Sequence, residues 1–203
     1  MKLLLLLVLI WGSAMNGYAQ IDSLNVSVQK TNSIIYWEGY IGAGGGGLLL
    51  GTSANYQWKK SLFTARFTGI TKIETDIIHP LVPFPIFKLK EQYNEPALLY
   101  GYRYINNGLS LSASAGISYN HRKKYSSTDN LDLEHYDYVG MPFELNLKWF
   151  NSTKRRFRIL YIIPVSRPTG FSRSIGFKVI GNVSRFSYIG AGLTYGLGFH
   201  KLY

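Results

Sequence analysis

Six charged residues sit where charge is least expected. Glu38, Arg66, Arg103, Glu144, Lys148 and Lys178 each take an alternate position in a stretch whose intervening residues are apolar. Lys72 and Glu74 follow the same rule. Facing one another across a narrow interior, such groups could pass protons or ions along a relay. They could also pair as a static network that fills the space. An isolated charge loses much hydration on burial, so buried charges need partners. The static network is therefore expected, with a cation in contact with Glu38 and another with Glu144.

Other residue types offer less chemistry. The four histidines are His79, His121, His135 and His200. Ser118, Ser126 and Ser127 flank His121, but no His-x-Ser pairing occurs, so no catalytic residue is assigned. No histidine spacing matches a metal site, and no cofactor is expected. Cysteine is absent, which excludes disulfides, thiolate metal sites and cysteine-borne lipid anchors. The run GAGGGG at 42–47 lacks the Lys-Ser/Thr and the helix of a phosphate loop. It reads instead as a crowded strand-to-strand crossing.

The elements that carry the charges have a period of two. In GLSLSASAGISYNH, 108–121, one face is Leu109, Leu111, Ala113, Ala115, Ile117 and Tyr119. The other is almost entirely Gly and Ser. Period two means a β-strand. A water-facing side normally carries long polar residues, whereas Gly and Ser suit backbones that converge. The small polar face therefore reads as the inside and the apolar face as the outside, an inversion only a lipid solvent permits. The same alternation marks 34–44, 47–58, 61–74, 96–105, 138–150, 174–183 and 187–200. The fold class predicted is all-β: an eight-stranded antiparallel up-and-down transmembrane β-barrel with a filled polar lumen. Leu111, Ala115, Leu145, Leu193 and Leu197 should face lipid.

Connections agree with this reading. Lys59-Lys60 and Asn106-Asn107-Gly108 are tight turns. Residues 75–95 and 122–137 read as long loops on the opposite rim. Pro80, Pro83, Pro85 and Pro96 stiffen the first, with apolar side chains between them. Residues 151–173 join two strands on the short-turn side and read as an insertion along the rim, not a ninth strand. Trp37, Trp58, Trp149, Phe150, Tyr104, Tyr119 and Phe199 read as interfacial girdles. At the N-terminus, Lys2, the apolar run Leu3–Trp11 and Gly17-Tyr18-Ala19 form a secretory signal over 1–19. Residues 20–33 form an N-terminal segment, and 34–203 the barrel. The formal charge of +11 fits a basic solvated rim.

The runs YIGAGGGGLLLGTSANYQWKKSLFTARFTG, ALLYGYRYINNGLSLSASAGISY, GMPFELNLKWF and GNVSRFSYIGAGLTYGLGFHKLY resemble small outer-membrane β-barrel proteins of the Bacteroidota type. The architecture is similar to OmpA/OmpX-type eight-stranded barrels. The resemblance implies an outer-membrane location and carries no catalytic motif. The expectation is a non-enzymatic barrel with a structural or surface-interaction role through its outer loops. Its partners would be outer-membrane lipids and lipopolysaccharide, with a protein or surface ligand at loops 75–95 and 122–137. No nucleic acid is expected. Two rivals stand beside it. One is a lipid A or phospholipid acyl hydrolase or transferase barrel. The other is a secreted soluble barrel that binds a hydrophobic ligand, with the apolar face turned inward.

Overall fold

The computed structural model describes residues 33–77, 85–125, 132–153, 158–159, 163–164 and 170–201. Ten strands follow one another: β1 Ser33–Gly44, β2 Gly47–Trp58, β3 Ser61–Ile77, β4 Pro85–Asn106, β5 Leu109–Tyr125, β6 Asp132–Phe150, β7 Arg158–Ile159, β8 Ile163–Pro164, β9 Phe171–Val183 and β10 Tyr188–Phe199. Eight of them close into one antiparallel barrel in the order β1-β10-β9-β6-β5-β4-β3-β2. Each barrel strand pairs with its neighbour along the chain, and β10 closes on β1. Closure leaves the barrel wall without a free sheet edge, which a strand in lipid requires. The short pair β7–β8 lies in the 151–173 connection as a separate two-stranded sheet. That connection is thus not a ninth barrel strand.

The alternation places side chains as the sequence implies. Leu193 is 51% exposed and Leu98 66%, while Glu38, Glu144 and Lys148 are fully buried. Leu111, Leu145, Ile117, Met141 and Ile189 all face outward. The soluble-barrel alternative, with that face turned inward, is excluded by this orientation.

Turn chemistry fixes both ends. At one end Lys59 and Asn107 take positive φ in tight turns, as primed hairpin turns demand. At the other end Gly45 and Gly46 turn β1 into β2 with φ of 59° and 81°, a conformation glycine adopts without cost. Below that turn Gly42 faces Gly192 on β10. A Cβ on Gly42 would lie 2.5 Å from the Gly192 Cα. The GAGGGG run is therefore a crowded hairpin, as expected.

Several strands run further than the sequence suggests. The segments 75–95 and 122–137 are largely continuations of the β3–β4 and β5–β6 hairpins. Beyond Thr71, β3 pairs only with β4. The hairpins thus stand above the level of the Gly45–Gly46 turn. The prolines at 80 and 83 lie outside the described residues, as does His79. Phe150 also departs from expectation. It points inward and meets the His200 ring at 5.6 Å, because its neighbour Trp149 takes the outward place.

Inside, the lumen is layered. Tyr40, Leu49, Ile70, Tyr93 and Ile180 form an apolar layer at the hairpin end. Ile34, Tyr36 and Leu62 form a smaller one at the short-turn end. The charged residues lie between.

Candidate functional site

The six charges singled out in the sequence all reach the lumen and are buried there. Each sits on an even-numbered or odd-numbered row that the strand pleat turns inward. Lys148 Nζ donates to Glu38 Oε1. Lys178 Nζ donates to Glu38 Oε2 at 3.1 Å and lies 3.6 Å from Glu144 Oε2. Arg66 Nη1 donates to the same Glu144 oxygen at 3.3 Å. A single chain of charges thus runs from Lys148 through Glu38, Lys178 and Glu144 to Arg66.

It does not stop there. Arg66 Nη2 donates to Glu95 Oε1 at 2.5 Å. Asn182 Nδ2 and the Tyr188 hydroxyl donate to Glu95 Oε2 at 2.6 and 2.9 Å. Glu95 is the third buried carboxylate among the described residues, and the sequence places it at the end of the 75–95 loop. Its signal was weak because Pro96 follows it and reads as a strand start. Once β4 extends upstream, parity with Ala97 and Leu99 turns Glu95 inward.

Arg103 is the cation of the six that stands apart from the carboxylates. It touches no carboxylate among the described residues. Its Nε donates to Ser110 Oγ at 2.7 Å and its Nη1 to Gln57 Oε1 at 2.9 Å. Its guanidinium lies 4.5 Å from the Tyr36 ring centre, a cation–π contact. His200 is buried nearby, its ring 5.2 Å from that of Tyr36. Lys72 also differs from expectation, since it sits at the mouth and not in the central chain. The Glu74 side chain lies outside the described residues.

Chemically, the chain is a brace. Glu38 takes two ammonium groups and a hydroxyl from Ser53 at 3.3 Å. Glu144 takes a guanidinium, an ammonium and the Asn146 amide at 3.0 Å. Each carboxylate is met by donors from at least two other strands. Such cross-barrel pairs tie opposite walls together, while Arg66 Nε, Asn146 Oδ1 and Asn182 Oδ1 have no hydrogen-bond partner among the described residues.

Above the lumen, at the hairpin end, three strands meet in a second charged group. Lys72 Nζ lies 3.0 Å from Glu91 Oε2, and Arg122 Nη2 donates to the same oxygen at 2.7 Å. The Arg122 guanidinium rests 4.1 Å from the Phe186 ring centre. Partial burial raises the Glu91 pKa, but the hydrogen bonds from Lys72 and Arg122 outweigh it and hold the carboxyl below its ordinary value. A depressed folded pKa adds stability that is complete above the unfolded value, about 4.3 for glutamate, and lost as pH falls through the folded one. Acidification below about pH 4 should therefore loosen the β3–β4–β5 mouth by less than ~1 kcal/mol. Melting in detergent at pH 7 and pH 3.5 checks this. Glu91→Gln should remove that part of the acid sensitivity.

On the outer wall just above the apolar band, His121 Nδ1 hydrogen-bonds Asp137 Oδ1 at 2.5 Å. The His135 ring stacks on His121 at 6.0 Å. Ser118, the serine nearest His121 among the described residues, points into the lumen, where its hydroxyl receives the Asn182 amide at 2.7 Å.

An eight-stranded up-and-down barrel with an apolar outer wall and a charged, filled lumen is a transmembrane β-barrel. Comparison with known proteins adds the fold's company. The barrel is similar to the N-terminal β-barrel domain of Pseudomonas aeruginosa OprF, with a TM-score of 0.52 and 16% identity over 84% of this chain and all of that one. Neisserial surface protein A follows at a TM-score of 0.49 and 10% identity, covering 84% of this chain and 97% of that one. The attachment invasion locus protein of Yersinia pestis gives 0.44 and 11%, over 82% and 96%. No family model matches the chain, and no curated protein matches its sequence.

Proposed function

We propose that this protein is a non-enzymatic outer-membrane barrel, closed to ions, that presents its hairpin end as an interaction surface. The closed lumen carries the reading: Glu38, Glu95, Glu144, Arg66, Arg103, Lys148 and Lys178 are all buried within it. A conducting pore would leave such side chains wet. The signal-like segment at 1–19 supports export, and the resemblance of its strand sequences to Bacteroidota-type barrels supports the outer membrane and that lineage. Outer-membrane lipid and lipopolysaccharide are then its surroundings, and the raised β3–β4 and β5–β6 hairpins its exposed part.

The rival enzyme reading draws on the His121–Asp137 pair, which resembles the base and orienting acid of a hydrolase. Such a pair needs a hydroxyl within reach. On the outward face His121 lies between Tyr119 and Lys123 along β5, opposite Asn94 on β4 and Asp137 on β6. The hydroxyl among these is the phenol of Tyr119, and none is a serine or threonine, which favours the non-enzymatic reading.

Fractionation tests the proposal. The protein should follow the outer membrane, need detergent for extraction, and change gel mobility when boiled. In planar bilayers it should give no sustained conductance. Stable single-channel steps, or recovery in a soluble fraction, would overturn it.

A further inference from the structure

The hairpin end holds a blind cup of about 260 Å³. Lys72, Glu91 and Arg122 form its charged side, and Tyr93, Tyr188 and Ile70 its inner surface. We infer that this cup binds a small amphiphilic anion: a flat apolar body carrying one carboxylate or phosphate. The inference rests on the reading of the hairpin end as the exposed face.

Three observations support it. First, two cations from different strands share one carboxylate at 3.0 and 2.7 Å. The group keeps a net positive charge, and Arg122 commits one of its five N–H donors to that bond. A ligand anion would meet a guanidinium already seated over the Phe186 ring, 4.1 Å from its centre. Little ordering would then be lost on binding. Second, the inner surface offers ring faces and few hydroxyls. The Tyr93 hydroxyl lies 2.7 Å from Asn120 Oδ1 and that of Tyr188 donates to Glu95 at 2.9 Å. The Ser187 hydroxyl donates to the Ser184 carbonyl at 2.9 Å within its own turn. A polyhydroxylated ligand would find these partners taken, whereas an aryl body needs none. Third, the cup has no exit downward. Tyr93 and Tyr188 are tied to Glu95, which Arg66 grips from below. A ligand would stay at the mouth.

Glu91 gives the inference a sign that a purely structural brace would not have. It competes with the ligand anion for Lys72 and Arg122. Its removal should tighten binding.

The test uses the full mature barrel in lipid nanodiscs and isothermal titration. The probes are benzoate, phenyl phosphate, neutral benzamide and acetate. Benzoate and phenyl phosphate should bind; benzamide, which lacks the charge, should be at least about tenfold weaker, the worth of one charge-assisted contact, and acetate, which lacks the ring, at least about tenfold weaker through lost apolar burial. Glu91→Gln should strengthen benzoate binding several-fold. Arg122→Gln and, independently, Lys72→Met should weaken it, and mobility shift on boiling certifies that each variant is folded. Acetate as tight as benzoate would overturn the apolar half of the proposal, and benzamide as tight as benzoate the anionic half. No heat with wild type and Glu91→Gln would overturn the whole. Sustained conductance would sink the closed-barrel reading without altering these titrations.

Discussion

Replacing Glu38 with alanine is expected to destabilise the folded barrel by about 3–5 kcal/mol, the cost of stranding buried charge. Two ammonium groups, those of Lys148 and Lys178, converge on this one side chain. Lys178 would keep Glu144 at 3.6 Å. Lys148 would keep only the face of the Tyr36 ring, 4.3 Å from its nitrogen, among the described residues. One buried cation is thus left without a counter-charge, and the pair of lysines now repels. Urea titration in detergent, followed by gel mobility without boiling, reads the loss directly. The informative comparison is Glu38→Leu with Lys148→Met, which leaves Lys178 with Glu144. That variant removes an acid and a base together, and swaps of this kind are often near neutral. It should be more stable than Glu38→Ala. A double variant worse than the single one would mean that the network itself, and not the avoidance of stranded charge, holds the barrel.

Much of this site could be read from the chain, and the reason is the pleat. Alternation fixes which side of the wall a residue takes, and in a closed barrel a side is a location. Alternation therefore places Glu38, Arg66, Glu144, Lys148 and Lys178 together whatever their partners. What alternation cannot supply is which opposite wall a side chain meets. That depends on strand stagger and tilt, so Arg103 could reach Gln57 and Tyr36 in place of a carboxylate.

The missed pieces have a common physical origin. Above the lipid band the outer face of a strand meets water and carries polar residues such as Gln92 and Asn94, so the apolar–polar alternation fades and β3–β6 read as ending early. Glu95, Tyr93 and the Lys72–Glu91–Arg122 group all lie in that blurred stretch. Proline added to the effect. Pro96 lacks an N–H, yet it sits inside β4 opposite Phe67. The β4–β5 ladder skips Glu95 and Pro96 and resumes in the same register, Asn94–His121 before the gap and Ala97–Ser118 after it. The missing donor falls in that gap. Phe150 was legible by parity alone, since adjacent residues of one strand cannot both face lipid.

The outer wall supports the other large prediction. Leu193 lies midway along β10, between Ile41 on β1 and Phe177 on β9. All three are more than half exposed, and in this fold exposure means contact with acyl chains. Leu193→Arg should cost about 2–4 kcal/mol, the range for a cation near the middle of the bilayer. The same change at Ile189, near the hairpin end of β10, should cost about 0–1 kcal/mol, because there the side chain reaches the headgroups. The depth dependence separates lipid exposure from simple intolerance of bulk, since both sites are open to the outside. Refolding into vesicles with urea titration measures both. Equal penalties at the two positions would mean that the wall does not face lipid. The neighbouring Gly192 supplies the control for the inner side. Its Cβ would fall 2.8 Å from the Gly42 Cα. Gly192→Leu should therefore prevent closure of β10 on β1 although leucine is apolar, while Leu193→Ala, which removes only lipid contact, should leave the barrel folded.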